Sequence, residues 1–242
     1  MSTPVPTRHG ERNQLLLALP ASEYGRLAPD LQDVTLGSGA ILMEPPGPIT
    51  HVYFPQQCVV SVLAIATEGP GLEIAIIGNE GMVGLPVYLG ARTSASRAIS
   101  QVADGARRLT VRAFRRALAG GHVLPRLMQR YTVAFLDSVA RGAACKQRHS
   151  VEERCARWLL MAHDRVGSDR FILTQEFLGQ MLDVERPTVS TAAHHLRRAG
   201  AIEYSRGRIT ITSRALLERA SCPCYMIMRD EMTRTMRGRG AA

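Results

Sequence analysis

The residues with the clearest chemical purpose lie in the segment 174–202, which reads TQEFLGQMLDVERPTVSTAAHHLRRAGAI. If its second half is helical, the outward side carries hydrogen-bonding and cationic groups, namely Arg186, Thr188, Ser190, Thr191, His194 and Arg197. Guanidinium, hydroxyl and imidazole groups are the donors and acceptors that contact base edges and phosphates. The segment therefore indicates binding to nucleic acid.

Two short helices are needed to position these side chains. Each helix has an apolar face. The face of the first consists of Phe177, Leu178, Met181 and Leu182, and the face of the second consists of Val189, Ala192, Ala193 and Leu196. Thr174 is placed to cap the first helix and Gly200 to end the second. This pattern predicts a helix-turn-helix whose second helix enters the major groove. An ordinary helical hairpin with a solvated polar face has the same pattern, so both interpretations stay open at this point.

The residues after the second helix favour the DNA-binding interpretation. The stretch AIEYSRGRITIT at 201–212 alternates between apolar and polar residues on either side of Arg206-Gly207. Such alternation about a Gly-containing turn predicts a β-hairpin. A hairpin directly after a helix-turn-helix is a wing, from which Arg206 and Arg208 can reach the sugar-phosphate backbone.

The composition is that of a globular protein with surplus positive charge. The 242 residues are 45% hydrophobic and 21% charged, with 30 Lys and Arg against 21 Asp and Glu, a formal charge of +9. Residues 141–242 hold 18 of the basic residues and 11 of the acidic ones, so the surplus lies mainly in the C-terminal part. Positive charge attracts polyanions without conferring sequence selectivity.

The sequence contains no apolar run near the roughly 20 residues that a membrane helix needs. Its start, MSTPVPTRHGERN, lacks the apolar core of a secretory signal. We therefore expect a cytoplasmic protein with no membrane partner.

The N-terminal half predicts a β-roll or jelly roll. A helical lead-in over 15–31 is followed by short β-rich runs at 41–43, 51–54, 58–67, 72–77 and 97–103. Gly- and Pro-rich turns separate these runs at intervals of roughly ten residues, which is typical of sandwiches and barrels. The segment TVRAFRRAL at 110–118 is expected to be a final strand that runs into a helix.

A long helix is predicted over residues 123–147. It would span ~40 Å and carries a stripe that includes Leu127, Tyr131, Phe135 and Ser138. The stripe fits pairing with a twin helix in a homodimer. It fits packing against the chain's own barrel equally well. Another helix is expected from Ser150, which forms a capping box with Glu153.

These elements resemble the Crp/Fnr family of bacterial transcription regulators. The stretch from Arg157 to Ile202 carries the resemblance most specifically, and IGNEGMVG at 77–84 adds a weaker match. The resemblance implies an α+β fold with a β-roll sensor domain, a long dimerisation helix and a winged helix-turn-helix domain. The expected divisions are a flexible leader at 1–14, the sensor domain at 15–121, the long helix with a hinge at 122–149, the DNA-binding domain at 150–221 and a basic tail at 222–242.

The same resemblance assigns roles to single residues. It implies that Arg186 reads a guanine edge and that Thr188 and Ser190 touch phosphate or base. Thr174 and Gln175 are expected at phosphate. The sequence departs from the family pattern at four places of the turn and second helix, namely Asp183, Glu185, Pro187 and Thr191. The half-site sequence of other members is therefore not expected to transfer.

The β-roll is expected to hold an effector whose identity the sequence leaves open. Cyclic-nucleotide-binding relatives use a Gly-Glu pair and an Arg-Ser/Thr-Ala triplet for ribose and phosphate. Here Leu85 follows Gly84, and Arg97-Ala98 only approximates the triplet. Gly84 and Arg97 are thus weak effector-binding candidates, and a cyclic nucleotide is one candidate effector.

The five cysteines do not form a recognisable disulfide framework. The absence of cysteine before Cys58 argues against the N-terminal iron-sulfur ligation known in the family. Cys222-Pro-Cys224, and Cys145 with His149 and Cys155, leave a metal or redox role open, but each motif alone is weak and no metal site is predicted. No catalytic motif is present, and we expect no enzymatic activity.

The sequence therefore predicts a homodimeric regulator that binds a palindromic double-stranded DNA site and responds to an effector. RNA polymerase is a further candidate partner. The alternative is a ligand-sensing or protein-interaction module whose helix-turn-helix no longer reads DNA, as Glu185, Pro187 and Thr191 would allow.

Overall fold

A computed structural model of the chain describes residues 10–65 and 71–237. The predicted fold class is confirmed: a β-roll comes first, then a long helix and a winged helix-turn-helix domain. Most of the predicted leader, residues 1–9, lies outside the described residues. Its last part is ordered, because Asn13 is buried, caps helix α1 (Gln14–Leu17) and donates hydrogen bonds to the carbonyls of Pro55 and Gly81. The end of the predicted leader is thus packed against the β-roll, and its division at residue 14 stays a prediction.

Two antiparallel sheets form the β-roll. The first has the order β1-β7-β3, with β1 at Gln32–Leu36, β3 at His51–Pro55 and β7 at Asp104–Thr110. The second has the order β2-β6-β4-β5, with strands at Ile41–Met43, Ser96–Val102, Val59–Ala64 and Leu72–Ile77. Inward side chains of both sheets, with helix α2 (Ala21–Leu27), form the first hydrophobic core.

Helix α3 (Leu85–Tyr88) crosses from β5 to β6, and helix α4 (Val111–Gly120) follows β7. The side chain of Thr110 accepts a hydrogen bond from the Ala113 amide and so starts α4 at Val111. The segment 110–118, predicted as a strand running into a helix, is thus almost wholly helical. The strand before it is β7, which the polar sequence DGARRLT concealed.

Helix α5 (Val123–Arg148) is the predicted long helix, and α6 (Val151–Val166) follows it after a short break. The capping box between Ser150 and Glu153 at the start of α6 is confirmed. None of the helices in the described part of the chain has both the length and the apolar character that membrane crossing requires.

The C-terminal domain follows α6 in the order strand, two helices, hairpin and helix. Its elements are β8 (Arg170–Ile172), α7 (Gln175–Leu182), α8 (Arg186–Arg198), β9 (Ile202–Ser205), β10 (Arg208–Ile211) and α9 (Arg214–Ala220). The segment predicted as a basic tail contains helix α10 (Cys224–Arg237), which packs along α5, and its residues 238–242 lie outside the described residues. A salt bridge of 3.0 Å between Arg141 and Glu231 joins these two helices.

The two halves of the chain share a second hydrophobic core. Outward-facing residues of the β-roll, among them Val59 and Leu63, pack against α6 and α7. Trp158 of α6 is almost fully buried there, and its indole NH donates to the Glu73 carboxyl of β5 at 3.0 Å. The helix-turn-helix is therefore docked against the outer face of the β-roll.

Candidate nucleic-acid interface

The turn between α7 and α8 is built as the sequence indicated. Thr174 caps α7, its hydroxyl accepting a hydrogen bond from the Phe177 amide at 3.2 Å. At Gly179 a Cβ atom would lie 2.9 Å from the Val184 carbonyl oxygen, so glycine allows the chain to pass closely. Asp183 ends α7 in the left-handed conformation with φ 53°, where its carboxylate contacts the Lys146 ammonium. The turn accommodates a side chain where the family usually has glycine.

Helix α8 has one buried side and one exposed side, as its pattern predicted. Val189, Ala192, Ala193 and Leu196 are buried. The exposed side presents Arg186, Thr188, Thr191 and His194, with Ser190 half-buried beside them. Gly200 follows the helix with φ 74°, which confirms its expected role in ending α8. The helix therefore offers a polar surface to a partner.

Four of the predicted contact residues line one groove. Thr174 and Gln175 at the start of α7, Arg186 at the start of α8 and Arg206 of the hairpin meet there, together with Glu176. These residues come from three separate elements. The fold thus places the start of both helices and the tip of the hairpin around a single concave surface.

Gln175 organises this groove. Its Oε1 atom accepts a hydrogen bond of 2.9 Å from the Ser190 hydroxyl and lies 3.4 Å from Nε of Arg186. The second distance is too long for a strong hydrogen bond. Most of the Arg186 guanidinium is therefore free to bind another group.

The hairpin of β9 and β10 forms the predicted wing. Arg206 and Gly207 occupy its turn with φ of 49° and 75°, the two positive values that a tight type I′ turn requires. Arg206 and Arg208 are exposed and point away from the domain core. Tyr204 anchors the wing by donating to the Leu173 carbonyl at 3.1 Å, and burial raises the pKa of its hydroxyl to about 12.

The unusual residues of α8 have clear structural consequences. Glu185 occupies the N-cap position, but its side chain forms no capping hydrogen bond within the described residues. Pro187 lies in the first turn, where it removes no intrahelical donor. The hydroxyl of Thr191 donates to the Pro187 carbonyl at 3.1 Å. Both His194 and His195 are exposed, but His195 pairs with Glu152 at 2.8 Å, whereas His194 belongs to none of the ion pairs in the described part of the chain.

Two residues that hold the helix-turn-helix were not found from the sequence. Arg154 of α6 is buried and donates to the Leu182 carbonyl at 2.9 Å, so it satisfies the C-terminal end of α7. Lys146 of α5 reaches Asp183 in the turn. These partners lie 28 and 37 positions apart in the chain, beyond the reach of local periodicity.

The two effector candidates of the β-roll lie in different surroundings. Gly84 has φ 105° and packs against Val52 of the interior, where a Cβ atom would come within 2.9 Å of that side chain. Arg97 alternates along β6 with Ala98, which points into the first core, so Arg97 lies on the outer face. Its guanidinium donates two hydrogen bonds of 2.7 Å to Glu44. An anionic ligand would have to compete with this ion pair.

The predicted dimer stripe of α5 packs against the chain's own β-roll. Leu127 and Tyr131 are buried in the first core, Phe135 packs against it, and the Tyr131 hydroxyl donates to the Met82 carbonyl at 3.2 Å. Ser138 faces α6 and α10. Of the two interpretations of this stripe, the contacts within the chain therefore support packing against its own β-roll.

A different side of α5 is exposed. Gln129, Val133, Leu136, Ala140, Ala143 and Gln147 lie on it, and their spacing alternates between four and three residues. Val133 and Leu136 are 54% and 59% exposed, which is unusual for large apolar side chains. Alternating spacing of four and three is the heptad pattern of a coiled-coil seam.

The chain has a polar helix, a supporting helix and a wing, and a long helix joins them to a β-roll. This arrangement defines the class of winged helix-turn-helix proteins with an N-terminal sensor-like domain. Within this class, residues 153–220 match the Crp-like helix-turn-helix domain. The resemblance to the Crp/Fnr family is thus confirmed for this domain. No curated protein sequence matches the chain.

Solved structures of Crp/Fnr regulators share the fold. FixK2 from Bradyrhizobium japonicum has a TM-score of 0.66 and 16% identity, over 79% of this chain and 98% of FixK2. TTHB099, a regulator of the CRP family from Thermus thermophilus, has a TM-score of 0.64 and 18% identity, over 78% and 96%. CLP from Xanthomonas campestris, described as a c-di-GMP-responsive global regulator, has a TM-score of 0.61 and 13% identity, over 80% and 100%. At these identities the likeness establishes the common fold.

Proposed function

We propose that this protein is a transcription regulator that binds double-stranded DNA in a sequence-specific manner. The observation that carries the proposal is the groove in which Thr174, Gln175, Arg186 and Arg206 meet beside the exposed side of α8. Helix α8 enters the major groove, and the wing follows the neighbouring backbone. An effector bound by the β-roll would act through the docking of the two halves.

Arg186 is the main reader of sequence in this proposal. Its guanidinium is exposed, makes only a long contact with Gln175 and has donors left for the O6 and N7 acceptors of guanine. Thr188, Thr191 and His194 supply shorter polar contacts along the helix, whereas Pro187 offers no side-chain donor. The wing arginines and Thr174 contact phosphates, which positions the helix without reading bases.

The test starts from DNA fragments that the wild-type protein retains in a gel shift at physiological salt. Arg186→Ala is expected to weaken binding to such a fragment by ~1–3 kcal/mol and to relax selectivity at one base pair. Arg92→Ala, an exposed arginine of the β-roll, is the matched control and should bind like the wild type.

Unchanged selectivity of Arg186→Ala would contradict the docking of α8. If the wild type itself shows only weak, salt-sensitive retention of every fragment, the alternative of an interaction module with a degenerate helix-turn-helix takes its place.

We propose further that two chains pair along α5 through the exposed heptad side, not through the stripe that contains Leu127 and Tyr131. Val133 and Leu136 would form the centre of the seam, and Ala140 and Ala143 would allow the helices to approach closely. A two-fold dimer of this kind places its recognition helices one DNA turn apart, ~34 Å, on a palindromic site.

Leu136→Glu tests the pairing, because a carboxylate in the seam must be desolvated when the helices meet. Sedimentation is expected to show a dimer for the wild type and a monomer for Leu136→Glu. Leu89→Glu is the control, since Leu89 is 63% exposed outside α5. A dimer that persists in Leu136→Glu, or a wild-type monomer at micromolar concentration, would refute the seam.

A further inference from the structure

Four metal-ligating side chains meet where α5 ends. Cys145 and His149 lie one helical turn apart at the end of α5, and Cys222 and Cys224 come just before and at the start of α10. Their ligand atoms all lie within 4.8 Å of one another. The two pairs come from opposite ends of the DNA-binding domain, so their meeting is a property of the fold.

The distances fit a single ion. The sulfur atoms of Cys145 and Cys222 are 3.5 Å apart, and the sulfur of Cys224 is 3.7 Å from Nδ1 of His149. With Zn–S bonds of about 2.3 Å, two ligands of a tetrahedron are separated by ~3.8 Å. The ligands of a cubane iron-sulfur cluster bind separate iron atoms and must lie farther apart. The compact group therefore favours one tetrahedral zinc ion.

The surroundings set these cysteines apart from the other two. Cys145, Cys222 and Cys224 are buried together as a small cluster of their own, with Met228 packed beside them. Cys58 and Cys155 lie singly in the two large apolar cores, where burial raises the pKa of each thiol to about 12. Isolated apolar thiols of that kind are inert. The sequence grouped Cys155 with Cys145 and His149, but the fold separates it from them.

A half-buried cation, Arg157, lies beside the cluster. The guanidinium of Arg157 interacts electrostatically with all three cysteines. Its Nε atom is buried without a hydrogen-bond partner in the described residues, and its Nη1 atom contacts the sulfurs of Met161 and Met228. A zinc ion with three thiolates and a neutral histidine carries one net negative charge. Such a site would supply a counter-charge for the half-buried Arg157.

We propose that Cys145, His149, Cys222 and Cys224 bind one zinc ion in a closed structural site. All three cysteines bind as thiolates, so each one that is still protonated releases one proton when Zn²⁺ binds, and no electron is transferred. All four positions are filled by protein, so no ligand position remains for a substrate. The ion fastens the segment after the wing to the end of α5, next to the break at His149 and Ser150. It thereby limits how far the DNA-binding domain can move relative to the long helix.

The test measures metal content in full-length protein purified without a metal-chelating tag. We expect about one zinc per chain in the wild type and in the control Cys155→Ala. Cys222→Ser combined with Cys224→Ser should reduce zinc to a trace. Circular dichroism identifies any variant that fails to fold, and in that case His149→Ala and His149→Cys replace it. His149→Ala should lose most of the zinc, whereas His149→Cys, which restores a fourth ligand, should retain it.

A second measurement uses Co²⁺ alone as the probe. Added to protein stripped of metal, it should produce the visible absorption of tetrahedral thiolate-bound cobalt in the wild type, and zinc should abolish that absorption. Three results would overturn the proposal: wild-type protein without zinc that gives no cobalt spectrum, iron with acid-labile sulfide in place of zinc, or a disulfide between Cys145 and Cys222 in freshly purified protein. Because none of these measurements uses DNA, a failed DNA-binding experiment leaves them unaffected.

Discussion

Three arginines of the β-roll and three of the helix-turn-helix and wing are used in opposite ways. In the β-roll, Arg97, Arg107 and Arg116 each form an ion pair, with Glu44, Asp33 and Asp30 respectively. On the DNA-binding half, Arg186, Arg206 and Arg208 are exposed and belong to none of the ion pairs within the described residues. Under the proposed function, the arginines that meet DNA are therefore those that belong to none of the ion pairs within the described residues, whatever the local net charge.

The contact between the halves shows a third arrangement, a half-buried carboxyl that belongs to none of the ion pairs within the described residues. Glu73 accepts hydrogen bonds from Ser61 and Trp158, and burial raises its pKa to about 7. Arg157 and Arg165 face it at longer range and partly oppose this shift. Lys146, Arg154 and Asp183 line the same cavity. The group is therefore much easier to protonate in the folded chain than in the unfolded one.

Glu73→Gln is expected to have the largest effect on stability. Since the folded pKa is raised, the stability that Glu73 contributes is fully present below its unfolded pKa near 4.5 and is lost as pH rises through about 7. The loss should amount to roughly 2–4 kcal/mol. Glu73→Gln should remove this dependence between pH 5 and 8 in urea unfolding. Glu44→Gln, at an exposed and paired carboxylate, is the control and should keep the wild-type slope over this range.

Equal pH slopes in the wild type and Glu73→Gln would mean that water reaches the contact between the halves. Glu73 would then behave like the solvent-exposed carboxylates of the β-roll.

The second prediction concerns the unpaired arginines. Arg206→Gln combined with Arg208→Gln should lower the slope of log K against log salt for DNA binding by roughly 2, because each phosphate contact contributes about 0.9. Sequence preference should survive, since it depends on α8. The matched control is Arg97→Gln combined with Arg116→Gln, which removes the same charge from paired positions. An equal change of slope in the control would show that pairing does not decide which arginines meet DNA.

The sequence predicted the DNA-binding half better than the β-roll. Helix caps at Thr174 and Ser150 and the turn at Arg206-Gly207 are local signals, and each of them is confirmed. Strand β7 was missed because polar residues occupy a strand whose pairing partners are distant in the chain.

Other features required three-dimensional contacts. The stripe with Leu127 and the stripe with Leu136 are both apolar, and only the placement of the β-roll shows which one is covered. The ion pair of Arg97 with Glu44 spans 53 positions, and the approach of Cys145 to Cys222 spans 77. A periodicity of two or 3.6 residues contains no information about such pairs.

The smallest predicted effect concerns Asp183, where backbone strain and an ion pair act on the same residue. Its carboxylate pairs with Lys146 of α5. The left-handed conformation costs a non-glycine residue roughly 1 kcal/mol, and an exposed ion pair contributes about 0–1 kcal/mol. Asp183→Gly loses the pair but relieves the strain, so its free energy of unfolding should lie within about 0.5 kcal/mol of the wild type. Asp183→Ala loses the pair and places in the left-handed conformation a residue that tolerates it less well than aspartate, so it should destabilise the protein by roughly 1 kcal/mol. Lys146→Ala, which removes only the pair, should cost less than Asp183→Ala. If the glycine and alanine variants unfold at the same urea concentration, relief of backbone strain contributes nothing measurable at this turn. The loss of stability in both variants then comes from the ion pair alone.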